Sequence, residues 1–132
     1  MSLEEQDRKE IVRFRMDKAR ATFAEVPVLM EHRFYRTAAN RLYYACFYAA
    51  TALLIGDGCE THTHSGVITL LGMHYISKGR IDRSFGKMYR QLFNLRQTGD
   101  YEDCFDVDEE DVRQHIEPVG NFIALVEKLT AQ

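Results

Sequence analysis

The chain of 132 residues is 45% hydrophobic and 28% charged and carries a formal net charge of -3 at pH 7. That balance excludes a disordered or membrane-embedded polypeptide, and the length suits one domain over 1–132 rather than two. An acidic chain does not coat nucleic acid by bulk attraction, so any RNA contact has to be local. No apolar run approaches bilayer-spanning length, and the charged opening fits neither a secretory signal nor an anchor, so a cytoplasmic protein is expected. Cys46, Cys59 and Cys104 are odd in number and lack a CxxC pair, which reads as reduced thiols.

In chain order, Ser2 and Glu5 have capping-box spacing ahead of a first helix whose Val12, Met16, Ala19, Phe23 and Val26 form one apolar stripe. Pro27 is expected to end it, with a connection over Val28 to Arg33. A second helix from about Phe34 to Ile55 has a broad apolar arc, including Leu42, Tyr43, Phe47, Ala50 and Leu54, which suits the most buried helix of a bundle. Its remaining face carries Thr37, Arg41, Tyr44, Tyr48 and Thr51 in a ladder along the axis, a row of polar tips in need of partners. After the turn-rich stretch Gly56 to Ser65, a short third helix to about Ser77 points Val67, Leu70, Leu71 and His74 inward. A fourth helix carries Phe85, Met88, Leu92 and Leu95, with Arg96 at the end of the stripe and Gly99 as its stop. Asp108 can cap a fifth helix bearing Val112, Ile116, Val119, Ile123 and Val126, with a kink expected between Gln114 and Pro118. The fold expected is all-α, an up-and-down bundle of four to five helices.

Several constellations are candidates for chemistry. His62 and His64 have a spacing open to a metal, but no further ligands are evident nearby, so no metal site is assigned. The acidic run from Asp100 through Asp111 lacks the central glycine of a calcium loop and reads as helix capping. Tyr35, Tyr43, Tyr44 and Tyr48 crowd one helix, as a core or oligomer interface would require. Tyr44 and Tyr48 also share a face with Arg41, so a phosphate held by arginine and a base stacked on tyrosine is a second reading. Arg96 either pairs with a carboxylate such as Asp100 or contributes its cation to a cleft.

The segments AANRLYYACFYAATALL (38–54), HSGVI (64–68) and LRQTGDYED (95–103), with Asn40, Arg41, Tyr43 and Tyr44 in the first, resemble the HEPN superfamily, in its stand-alone prokaryotic branch. The resemblance implies a helical bundle that forms a homodimer, needs no cofactor, and pairs with a minimal nucleotidyltransferase in toxin-antitoxin systems. It also implies metal-independent endoribonuclease activity, from an arginine followed a few residues later by a histidine. Arginine steadies the developing charge on phosphate, and a near-neutral imidazole moves the proton of the ribose 2'-hydroxyl. Here Arg96 matches the arginine, but Tyr101, Glu102 and Asp103 stand where the histidine belongs. A phenol with an ordinary pKa of about 10 is a poor base at neutral pH. The leading expectation is therefore a module that binds a partner protein, nucleotide or RNA. Its cleft involves Arg96 and Tyr101, with Asn40, Arg41, Tyr44, Tyr48 and Asp100 as ligand contacts. The alternative is a ribonuclease using Arg96 with Tyr101, or with His64 or His74. Tyr101 as an acceptor for adenylylation is a third possibility.

Overall fold

The computed structural model describes residues 4–61, 63–100 and 106–131, the side chains of 97–100 aside. Those residues form α1 (Glu5–Glu31), α2 (Tyr35–Gly56), α3 (His64–Leu71) running into a π-helical turn (Gly72–Ile76), α4 (Arg83–Asp100) and α5 (Glu109–Thr130). The all-α bundle expected from the periodicities is the fold observed. No helix among the described residues is long and apolar enough to cross a membrane.

The central element is α2, which packs against α1, α3, α4 and α5. Its sequence explains that position. Ala38, Ala39, Ala45, Ala49, Ala50 and Ala52 are all buried, and such short side chains let neighbouring helices approach from several sides. Leu42, Leu53 and Leu54 fill the space between them. The Cys46 thiol lies wholly within this core, where burial pushes its pKa far up and leaves it protonated and unreactive. At the C-terminal end, Gly58 takes φ +81° while the amides of Gly58 and Cys59 donate to the carbonyls of Ile55 and Leu54. This left-handed cap closes the helix at little steric cost because glycine has no Cβ.

The end of α1 and the connection that follows it differ from the sequence expectation. Pro27 does not end α1, which runs on to Glu31. Val26 is buried and Leu29 and Met30 pack on the core, so continuing the helix gains more apolar burial than the one lost backbone hydrogen bond costs. The connection shrinks to 32–34, where Arg33 adopts φ +63° as the amides of Arg33 and Phe34 return to Met30 and Leu29. Ser2 lies outside the described residues, and the residue before α1 is Glu4, without a side-chain cap.

The third helix keeps its apolar face only as far as Leu71. The wider π turn that follows shifts the register, so Tyr75 is fully buried where His74 was expected to point inward. The Tyr75 hydroxyl donates to Asp57, and Arg80 lies over its ring at 4.7 Å, tying the turn to the end of α2.

The fifth helix begins as expected. The Asp108 side chain accepts from the Asp111 amide at 2.8 Å, and Asp111 accepts from the Asp108 amide at 3.0 Å, a reciprocal capping box. The helix then continues through Pro118 to Thr130. His115, on its first half, is 7% exposed, and burial holds its pKa below the ordinary 6.5.

Candidate functional site

The site assembles where the polar face of α2 meets the start of α3 and the last turns of α4. On α2, helical spacing stacks Arg41 on Tyr44, with the guanidinium carbon 5.6 Å from the ring centre, and Tyr44 on Tyr48, with ring centres 5.9 Å apart. Arg41 also approaches Glu25 of α1 at 3.8 Å and donates to the Asn40 side-chain oxygen at 3.3 Å, so Asn40 and Glu25 orient it. Tyr48 carries a different cation, the Lys18 ammonium, 4.9 Å above its ring.

Arg96 arrives from α4. Its guanidinium sits 5.3 Å from the ring centres of both Tyr43 and Tyr44. Tyr44 is thus flanked by two arginines from two helices, which concentrates positive charge over aromatic faces in a partly buried setting. The structure brings three of the residues singled out in the sequence, Arg41, Tyr44 and Arg96, into one cluster. The side chain of Asp100 and all of Tyr101 lie outside the described residues.

The third contribution comes from α3. Thr63 caps that helix by accepting from the Gly66 amide at 2.9 Å, which fixes the residue after it, His64, at the helix start. The His64 ring stacks on Phe47, with centres 4.5 Å apart and planes inclined by 21°. Its Nδ1 lies 2.6 Å from the Tyr43 hydroxyl. Burial first, and the nearby Arg96 cation second, hold the His64 pKa below 6.5, so the ring is neutral at pH 7. Tyr43 itself is fully buried among Tyr89, Phe93, Phe47 and Tyr44, and burial pushes its phenol up to about 12 despite Arg96. In the tautomer with the ring proton on Nε2, the Tyr43 hydroxyl donates to Nδ1; in the other, Nδ1–H donates to the Tyr43 oxygen.

Sequence reasoning misses two members of this cluster. Periodicity makes Tyr43 and Phe47 plain apolar positions, yet one holds His64 by its hydroxyl and the other by its ring face. The signal available is the hydroxyl itself, since a buried tyrosine needs a partner. By sequence His64 is a candidate metal ligand or a displaced catalytic histidine; its partners are aromatic, and His62 lies outside the described residues. No group of three metal-ligating side chains is present among the described residues. His74 stands in the π turn, apart from the rings that surround His64.

The chain matches the HEPN domain model over residues 12–129. It belongs to the HEPN family. A UPF0332 protein of Thermotoga maritima is 31% identical over 123 residues, covering 93% of each chain. A protein of Methanocaldococcus jannaschii named "Putative toxin MJ0605" is 32% identical, covering 72% of this HEPN chain and 71% of its own. The crystal structure of TT1696 from Thermus thermophilus superposes with a TM-score of 0.75, covering 89% of this chain and 97% of that one at 14% identity, a likeness of fold.

Two predictions arise from this geometry. A Cβ on Gly66 would stand 2.1 Å from Thr61 Oγ1 and 2.7 Å from Thr63 Oγ1. Gly66→Ala therefore has to displace the cap that fixes His64, and it is expected to destabilise the protein by about 1–2 kcal/mol in urea unfolding. The second concerns pH. His64 and His115 both have folded pKa values below the ordinary 6.5, so the unfolded chain binds more protons in the window between. Their contribution to stability is complete above about pH 6.5 and is lost as pH falls through the folded values. Urea midpoints are expected to fall between pH 7 and 5, and His115→Gln is expected to flatten that slope.

Proposed function

We propose that this chain is a toxin-antitoxin-type HEPN module that binds the phosphate of RNA, or of a nucleotide, in the cleft formed by Arg96, Arg41, Tyr44 and His64. The observation that carries this reading is Arg96 lying at equal distance over Tyr43 and Tyr44, with Arg41 on the same tyrosine. Two guanidiniums can take phosphate oxygens while the phenol ring offers a stacking face for a base. A neutral His64 whose Nδ1 accepts from Tyr43 adds Nε2–H as a donor to the same anion. Asp100 and Tyr101 join the cleft through the family resemblance, Asp100 as a ligand contact and Tyr101 as the residue in the place of the motif histidine or as an adenylylation acceptor.

The cleft is proposed to lie at a homodimer interface. Phe14, 65% exposed on α1, shares Lys18 with Tyr48, so an apolar and aromatic patch continues from the site onto the surface. A minimal nucleotidyltransferase is the proposed protein partner. Fluorescence anisotropy with a short single-stranded RNA tests the binding reading. Affinity is expected to fall steeply with salt as phosphate contacts are replaced, and absence of binding at low salt would end it. Copurification of the tagged chain as a dimer, with a nucleotidyltransferase or nucleic acid, is the expected companion result; a bare monomer counts against the partner and dimer.

A second reading, metal-independent RNA cleavage, is favoured by one observation, the neutral imidazole placed beside Arg96. As a base, Nε2 would need its lone pair free, which requires the hydrogen bond to reverse so that Nδ1–H donates to the Tyr43 oxygen. His64 would then take the proton of the 2'-hydroxyl as its oxygen attacks phosphorus, and the 5'-oxygen would leave protonated by water, giving a 2',3'-cyclic phosphate and a 5'-hydroxyl. Cleavage lost in both Arg96→Ala and His64→Ala supports this reading, whereas binding without cleavage by the wild type leaves the module a binder.

A further inference from the structure

A second cationic recess lies toward the C-terminal end of α2, built from the N-terminal turns of α1, the C-terminal turns of α2 and α5, and Arg80. It has a volume of about 840 Å³ and shares no lining residue with the Arg96 cluster. Met16, Leu53 and Leu129 give it an apolar floor, and both Met16 and Leu53 are buried. Its charges do not cancel. The three lining carboxylates are each engaged: Glu5 with Lys9 at 3.9 Å, Asp57 with Arg80 at 3.5 Å, and Glu127 with Arg20. Arg8 and Arg13 remain, with no side-chain hydrogen bond or ion pair among the described residues, and the Arg8 Nε is buried without a partner. Two guanidiniums without a counter-ion among the described residues leave this wall of the recess positive, which an anionic ligand would neutralise.

We propose that this groove is a separate site for a phosphorylated small molecule of nucleotide size, its phosphoryl group held by Arg8 and Arg13 and its organic part resting on Met16, Leu53 and Leu129. An isolated phosphate would leave the floor unused, and the volume lies in the range of ordinary small-ligand pockets. Guanidinium forks suit phosphoryl oxygens in both geometry and charge. The site stands independently of the RNA-binding reading.

Calorimetric titration of the full chain with ADP, pyrophosphate and adenosine tests it. ADP is expected to bind, pyrophosphate to bind more weakly and adenosine to give no heat. In the Arg96→Ala background, which silences the other cleft, ADP is expected to bind still, and adding Arg8→Gln/Arg13→Gln is expected to weaken it roughly tenfold or more. Arg13→Gln alone, at an exposed position, is expected to weaken it in the same direction and serves if the double variant unfolds. No ADP heat in Arg96→Ala, or an affinity in that background that neither glutamine substitution changes, would each overturn the proposal. Pyrophosphate binding as tightly as ADP would overturn the role of the apolar floor.

Discussion

Replacing Arg96 with alanine is expected to abolish measurable RNA binding at moderate salt, with an affinity loss of about 1.5–3 kcal/mol, or roughly tenfold to more than a hundredfold. The size follows from position. Arg96 is partly buried over two rings, so its charge is screened less than that of an exposed arginine, and its removal takes one of the two guanidiniums flanking Tyr44. Arg96→Lys is expected to recover only part of the loss, because an ammonium keeps the charge but neither the fork nor the flat face. The salt dependence of binding is expected to become shallower in Arg96→Ala by about one counterion. Anisotropy titrations at three salt concentrations read all of the binding effects. Unchanged affinity in Arg96→Ala would remove the basis for the cleft.

The largest effect on stability is expected at Phe122, which α5 inserts into the core. Its side chain is fully buried and meets Phe85 of α4 with ring centres 5.7 Å apart, so it bridges two helices that both pack on α2. Phe122→Ala removes that burial and opens a cavity that rigid helices cannot close, at an expected cost of about 3–5 kcal/mol. Against the marginal stability of a domain this size, that is a large share of the total. Urea denaturation should show a lower midpoint with an unchanged slope. A cost under about 1 kcal/mol would mean that α5 is not docked as described.

How far the sequence leads can be judged from particular residues. The broad apolar arc of α2 is legible because its alanines and leucines repeat at helical spacing, and so is the cap at Asp108, because capping chemistry is local. The end of α1 is not. Pro27 carries a strong local stop signal, but the burial that outweighs it comes from α2 packing on Val26 and Met30, and contacts between helices leave no periodic trace. The shift at the π turn escapes for a related reason: one extra residue in a turn moves the inward position from His74 to Tyr75, and periodicity assumes a constant pitch.

The site divides along the same line. Arg41, Tyr44 and Tyr48 are readable as one face because they lie on one helix. Arg96 enters through its place in the family motif, and its approach to Tyr44 is tertiary. His64 is a named alternative in the sequence, yet only the fold brings it onto Phe47 and Tyr43. The family motif seeks its histidine in the segment following Arg96; here an imidazole reaches that arginine's cluster from α3 instead.

The most direct test of the central claim is the side-chain Nε–Hε resonance of Arg96, followed by NMR as single-stranded RNA is added to the labelled full chain. The account predicts that this resonance and the ring signals of His64 shift together and saturate at one affinity, while the corresponding signal of Arg36, on the α2 turn facing Asp106, stays in place. Saturable RNA binding that leaves Arg96 and His64 unmoved would contradict it.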